Sequence, residues 1–350
     1  MTFGLTEKVQ CRRALLSSAA TTMERMQCTD PRQAADARDA TGHEETVPTS
    51  TGDRITVLAV GGTGESYQED SRTSVTGMLA AVTDDLDARF TPRWVGYPAS
   101  YGPANGKDGI SYADSVVEGV RSLRRHLAQT SGSVMIVGYS QGAVVVRRCM
   151  HELQLDGDAA LNRVLGLGFV ADPHQPPGVV TGCSGWGVAG EGPELPDQIP
   201  AWWVGAPTDM ICNAEPDSLI RDIADLTPTL EFRRPIRWIL DMLAILRDNA
   251  FQNAARTSLR PTQWSRDVRR VRAAWRAVRR YLPALIVWHS LVITNRDGGR
   301  HTAYSREPYR RLVTDPETTG CQELARWLQV GATFAPVCVS SRANPVAERH

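Results

Sequence analysis

Gly138 and Gly142 bracket Ser140 within Ser133-Val-Met-Ile-Val-Gly-Tyr-Ser-Gln-Gly-Ala-Val-Val-Val146, and no other run narrows the possible folds as far. Val134 to Val137 reads as a buried strand and Ala143 to Leu153 as a helix. A strand-to-helix turn this tight holds the residue at its apex in a strained backbone conformation. The positions two before and two after must then be small. That geometry lifts the Ser140 hydroxyl above the sheet and aims the Gln141 N–H at a reacting carbonyl oxygen. The letters Gly-x-Ser-x-Gly alone also describe an ordinary turn. The flanking strand and helix patterns point instead to a nucleophile elbow.

A serine hydroxyl needs a base, and the base needs a carboxylate to orient it. On such an elbow the partners follow in the order Ser, then Asp or Glu, then His. Of the seven histidines, His43, His126 and His151 lie before or beside the elbow, and His174 precedes every candidate acid but a weak one. His289, His301 and His350 remain. His289 sits in the apolar run Ala284 to Ile293, where a core or strand histidine is expected, and His350 is the last residue. His301 lies in Asp297-Gly-Gly-Arg-His-Thr-Ala-Tyr304, a glycine-rich loop of the kind that carries reactive side chains, and is favoured over His289. Asp209 follows the short apolar strand Ala201 to Ala206, and a carboxylate just past a strand's carboxyl end reaches the top of a sheet. Asp172, in Ala171-Asp-Pro173, is the runner-up and more readily caps a turn.

Arg54 to Val60 reads as the first strand and runs into Gly61-Gly-Thr-Gly-Glu65. A glycine-rich loop there lets the backbone approach a substrate, so Thr63 (or Gly62) is the candidate second oxyanion donor beside Gln141. Neither this loop nor Gly166-Leu-Gly168 completes the Gly-x-Gly-x-x-Gly of a dinucleotide site. Gly102 to Lys107 is one residue short of a phosphate loop and is followed by Asp108 where a hydroxyl is needed.

The chain has 350 residues, 42% of them hydrophobic, enough for one large core or one core with an appendage. Its formal net charge of zero gives no global drive toward nucleic acid. The seven cysteines show no C-x-x-C and no zinc spacing, so free thiols are expected, with Cys183–Cys212 and Cys321–Cys338 as the possible pairs. No apolar run is long enough to span a membrane, and Met1 to Cys28 lacks the continuous apolar core of a signal peptide.

Residues 1–52 are poor in large apolar groups and read as a mobile extension, leaving 53–350 as one domain. Ser111-x-x-Asp114 resembles a capping box opening a helix whose Val116, Val120, Leu123 and Leu127 share a face. Alternating strands and helices predict an α/β fold, a mostly parallel sheet covered on both faces. Far more chain separates Asp209 from His301 than one βα unit needs. A helical insert is expected over about 215–283, with helices at Leu219 to Leu226, Ile236 to Phe251 and Trp264 to Leu282. In the last, Trp264, Val268, Val271, Trp275, Val278 and Leu282 form one stripe, and seven arginines occupy the rest. Such a helix either packs its stripe on the sheet as a lid with a solvated basic face, or lies on a lipid surface.

Gly138-Tyr-Ser-Gln-Gly-Ala143, the early Gly61-Gly-Thr-Gly64, Thr208-Asp-Met210 before a long helical stretch and the late His301-x-x-Tyr304 together resemble the cutinase-like serine esterases, above all the lysin B enzymes of mycobacteriophages. The resemblance spans about residues 54 to 330 and rests on short motifs in order. It implies an α/β-hydrolase sheet with a lid-like insert, Ser140, Asp209 and His301 as a catalytic triad, and no metal or organic cofactor. The implied substrate is the ester joining mycolic acids to arabinogalactan in the outer envelope, reached when the cell bursts and frees an enzyme that had accumulated in the host cytoplasm. A general cutinase or lipase on long-chain esters is the near alternative, and a non-catalytic envelope-binding protein the distant one. Secreted cutinases share Asp-x-x-Cys, matched by Asp209 and Cys212, but pair that cysteine with one at the position held here by Gly205. The basic residues include only two lysines, Lys8 and Lys107, an arginine bias of GC-rich genomes such as those of actinobacteria and their phages.

Overall fold

Strand β1 (Ile55–Val60) sorts its side chains by parity: Val57 and Ala59 enter the core on one face of the sheet, Leu58 and Val60 the core on the other. Strand β3 (Val134–Tyr139) does the same with Met135 and Val137 against Val134 and Ile136. Both strands are buried on both faces, which is why they read as near-continuous apolar runs. With β2 (Phe90–Trp94), β4 (Val164–Val170) and β5 (Ala201–Val204) they form a five-stranded sheet in the order β2-β1-β3-β4-β5, parallel throughout. The computed structural model describes residues 54–230, 234–248, 251–253, 264–288, 291–309 and 315–335. The extension expected over residues 1–52, together with His289, His350 and Cys338, lies outside them.

One face of the sheet is covered by α1 (Tyr112–Gln129) and α2 (Gln141–Leu155), whose Val116, Val120, Leu123, Val145 and Met150 pack on Leu58 and Ile136. The other is covered by α6 (Gly320–Phe334), whose Leu324, Ala325 and Leu328 meet Val57, Met135 and Val137. Each such aliphatic side chain stabilises the fold by roughly 1.5–3 kcal/mol on burial. The result is a three-layer α/β fold of the α/β-hydrolase type. Helix α2 starts directly after Ser140, so strand, serine and helix follow without a spacer. The order reverses between β1 and β3, and their carboxyl ends, Gly61 and Ser140, flank the crevice where open parallel sheets bind ligands.

The capping box expected at Ser111 forms only in part. Ser111 caps α1 by accepting from the Asp114 N–H at 3.1 Å, but the reciprocal half of the capping box is missing. The shorter Asp114 carboxylate turns instead toward Arg234 and Arg237, 3.7 and 3.6 Å away. A full capping box forms at Thr319 and Gln322 of α6, where the longer amide reaches back.

The chain between β5 and His301 carries α3 (Leu219–Leu226), α4 (Pro235–Arg247) and α5 (Trp264–Tyr281). A two-stranded antiparallel hairpin follows, β6 (Leu285–Trp288) with β7 (Leu291–Thr294). Helix α5 corrects the expectation about which face packs inward. Its Val268, Val271 and Trp275 face outward, whereas Ala274, Ala277 and Val278 pack with Val188, Ala214 and Ile220. The small alanines allow close approach, and Arg270 turns inward to Asp217 and Asp222 at 3.3 and 3.4 Å. Cys183 and Cys212 are both buried and not joined by a disulfide, which overturns that possible pair, and Cys321 is a buried thiol beside Met78. No helix among the described residues is long and apolar enough to cross a membrane.

Candidate active site

Ser140 sits at the apex between β3 and α2 with φ 52° and ψ −118°, a region an L-residue occupies only under strain. The turn is held by the Ser140 N–H donating to Val170 O and the Ala143 N–H donating to Ser140 O, at 2.9 and 3.0 Å. The flanking glycines are required by close approach. A Cβ on Gly138 would meet Ala143 Cα at 2.7 Å, and one on Gly142 would collide with the carbonyls of Val60 and Gly61.

His301 Nε2 lies 2.9 Å from Ser140 Oγ, and His301 Nδ1 lies 2.8 Å from Asp209 Oδ2. All three side chains are buried. The structure thus brings Ser140, Asp209 and His301 into one hydrogen-bonded row from positions spread over 161 residues. Carboxylate acceptance at Nδ1 fixes the proton there, which leaves Nε2 to accept from the serine hydroxyl. His301 stands on a short 3₁₀ helix, Arg300–Ser305, entered through Gly299 at φ 76°. Tyr139 fixes it from the sheet: its hydroxyl donates to His301 O at 3.0 Å and its ring stacks on the imidazole, with centroids 5.2 Å apart.

Asp209 is held by more than the histidine. Its Oδ1 accepts from the Ile211 N–H at 3.0 Å, and its Oδ2 also accepts from the Tyr304 hydroxyl at 2.7 Å. Burial by itself pushes this carboxyl up. The His301 charge and hydrogen bond, the Ile211 N–H and Tyr304 outweigh burial and hold it below the ordinary aspartate value. The runner-up Asp172 is committed elsewhere, accepting from buried Arg147 at 2.8 Å, Trp203 Nε1 at 3.1 Å and the His174 N–H at 2.9 Å.

The loop after β1 separates the two oxyanion candidates. The Gly62 N–H donates to Glu65 Oε2 at 2.8 Å and the Gly64 N–H to Ala99 O at 2.8 Å, whereas Thr63 lines the cavity with Ser140 and Gln141. Gly62 is therefore the poorer donor. Gln141 opens α2, where backbone N–H groups lack intrahelical partners, and its side chain is anchored by donating to Ser100 O at 2.9 Å. Glu65 and Tyr304 play parts the motifs did not assign. Burial pushes the Glu65 carboxyl up, while its two oxygens accept from Gly62 and Met78 N–H and tie the loop to the segment before the single helical turn at Ala80–Thr83.

Ser140 opens into a cavity of about 610 Å³. Val188, Met210, Ile211 and α3's Ile220 and Ile223 make it apolar, and Tyr101 and Tyr281 close two sides. Arg221 pins α3 in place by donating to the carbonyls of Gly187, Ala214, Glu215 and Trp186. Such a site can deprotonate a serine, present it to an acyl carbon and shelter an apolar acyl group.

The fold and this row of side chains have the layout of the α/β-hydrolase class. The PE-PPE domain profile matches residues 88–188, less than a third of the chain, which includes Ser140 but neither Asp209 nor His301. No curated protein matches the sequence. Among solved structures, a cutinase-like protein from Cryptococcus sp. is 18% identical at a TM-score of 0.35, covering 47% of this chain and 81% of its own. An esterase/lipase from an uncultured bacterium is 14% identical at a TM-score of 0.24, covering 34% of this chain and 36% of its own. A pyrethroid hydrolase from Sphingobium faniae is 16% identical at 0.23, covering 35% and 42%. Likenesses this partial carry no weight for the chemistry, which rests on the geometry above.

Proposed function

We propose that this chain is a serine esterase acting on long-chain acyl esters. The observation that carries the reading is the buried row Asp209–His301–Ser140 at 2.8 and 2.9 Å, opening on an apolar cavity. In the first step His301 Nε2 takes the Ser140 proton as Oγ attacks the ester carbonyl. The Gln141 and Thr63 N–H groups hold the oxyanion, each at roughly 3–4 kcal/mol on loss. The imidazolium, stabilised by Asp209, then protonates the departing alcohol oxygen. A water deprotonated by the same nitrogen releases the acid and restores Ser140. No step calls for a metal or organic cofactor.

The substrate within this class is, in our reading, the ester between mycolic acids and arabinogalactan, cleaved in phage-induced lysis after the enzyme accumulates in the host cytoplasm. Support comes from the order of Gly61-Gly-Thr-Gly64, the elbow, Thr208-Asp-Met210, a helical stretch and His301-x-x-Tyr304. The test is release of free mycolic acids from purified mycolyl-arabinogalactan by the wild type and not by Ser140→Ala. A general lipase or cutinase is favoured by one observation, the modest size of the cavity, which suits an ordinary fatty acyl chain. Cleavage of simple long-chain esters with no mycolic acid release would select it. Equal turnover by Ser140→Ala would end the Ser140 mechanism in both forms, and no turnover of either ester by the wild type would leave a non-catalytic envelope-binding role.

A further inference from the structure

Helix α5 holds on to the body with small and buried groups and shows its large apolar ones to solvent. Val271 and Trp275 are 56% and 67% exposed, set in a shallow recess between Arg269, Arg272 and Arg276. Helix α4 is apolar on its outer side as well, where Ile236, Ile239, Leu240, Leu243 and Leu246 are 43% to 72% exposed. Large apolar side chains clustered on the outer side of a helix and left in solvent mark a binding face.

The charge pattern decides what covers it. Helix α5 carries seven arginines against one acid, Asp267. A second copy of the chain meeting the α5 face across a two-fold axis would set arginine mostly against arginine, with Asp267 the one acid of the helix to answer them. Aliphatic and indole side chains flanked by guanidinium groups suit a helix lying in the plane of a membrane interface, apolar groups beneath the headgroups and arginines at the phosphates. The helix also runs to Tyr281, which lines the cavity beside Ser140, so its C-terminal end is continuous with the cavity wall.

We propose that the outward face of α5 docks on an anionic lipid bilayer. The proposal goes beyond the esterase reading and does not need it. The test is co-sedimentation of the full chain with phosphatidylglycerol-containing vesicles and with phosphatidylcholine vesicles, at low and high salt. The wild type and Ser140→Ala should bind the anionic vesicles equally, more weakly in high salt, and leave the neutral ones largely in solution. Arg272→Gln with Arg276→Gln should weaken binding roughly 30-fold, from the attraction expected of two basic residues at an anionic surface. Val271→Ser with Trp275→Ser should abolish it, and both pairs should keep wild-type turnover of a soluble short ester. Binding by either variant at the wild-type level would overturn the proposal, as would equal binding to neutral vesicles or none by the wild type. A wild-type dimer in solution that Val271→Ser with Trp275→Ser dissolves, without vesicle binding, would give the face to a second copy instead. Because Ser140→Ala is scored by sedimentation alone, failure of docking and failure of the esterase reading remain distinguishable.

Discussion

Three donors converge on the Asp209 carboxylate, from His301, Ile211 and Tyr304, and the Tyr304 hydroxyl shares Oδ2 with the imidazole. Because this carboxyl is held below its ordinary value of 3.8, it contributes stability above that value, lost as pH falls through the lower folded value. Tyr304→Phe removes one of the donors, so it should cost roughly 1.5–3 kcal/mol at neutral pH. The difference from wild type should shrink in acid, where both carry a protonated carboxyl. Thermal unfolding across this range checks it, and a pH-independent gap would mean that Tyr304 acts by packing alone. At the reacting serine, Ser140→Ala or His301→Ala should lower turnover of an activated ester by roughly 10⁴ to 10⁶-fold, since members of such a row act as a unit. The elbow and the row of Asp209, His301 and Ser140 were legible because chain order leaves few candidates. The role of Tyr304 was not, although it stood in view as the last letter of His301-x-x-Tyr304. Nothing in a linear pattern says that its hydroxyl meets a carboxylate 95 positions upstream.

Elements, unlike single residues, were read through periodicity, and it succeeded where burial is two-sided or sharply one-sided. Strands β1 and β3 and the α1 stripe Val116, Val120, Leu123 and Leu127 each left one consistent pattern. Helix α5 defeated the same reasoning, because the inward face is decided by alanines that permit close packing and by Arg270 finding two aspartates. Hydrophobicity alone ranks that face last. The elbow glycines allow a sharper prediction: Gly142→Ala forces a Cβ against the Val60 and Gly61 carbonyls, which belong to backbone and cannot step aside. Strain of this kind costs about 1–3 kcal/mol or more and moves the Gln141 N–H. We expect a lower melting temperature and a larger fall in kcat than in the affinity for substrate. At the cavity wall, Ile223→Trp on α3 should raise KM for long acyl esters severalfold while sparing a short one, because the added rings occupy the far part of the cavity.

Across the molecule, two grades of packing coexist. The sheet and its helices α1, α2 and α6 surround side chains with no exposure at all, among them Leu58, Ile136, Val145 and Leu324. Helices α4 and α5 hang on a few fixed points, such as Trp238 Nε1 donating to Leu226 O at 3.0 Å and the Arg270 contacts, and bury little of their own apolar surface. Local stability follows buried contacts, so these helices should open at a smaller free energy than the sheet. The Ser140–His301 row is itself supported from the sheet by Tyr139 and from the loop after β5 by the Tyr304 hydroxyl, which accepts from the Ala206 N–H at 3.1 Å. Low urea should therefore expose helices α4 and α5 to protease while the sheet and its helices stay resistant. Hydrolysis of a long-chain ester should fall in the same range, because α3 and Tyr281 line the cavity, whereas a short activated ester should be cleaved until the sheet unfolds. Coincident loss of both activities with global unfolding by circular dichroism would show instead that insert and sheet form one cooperative unit, and that Arg221 and Arg270 bind them more tightly than their number suggests.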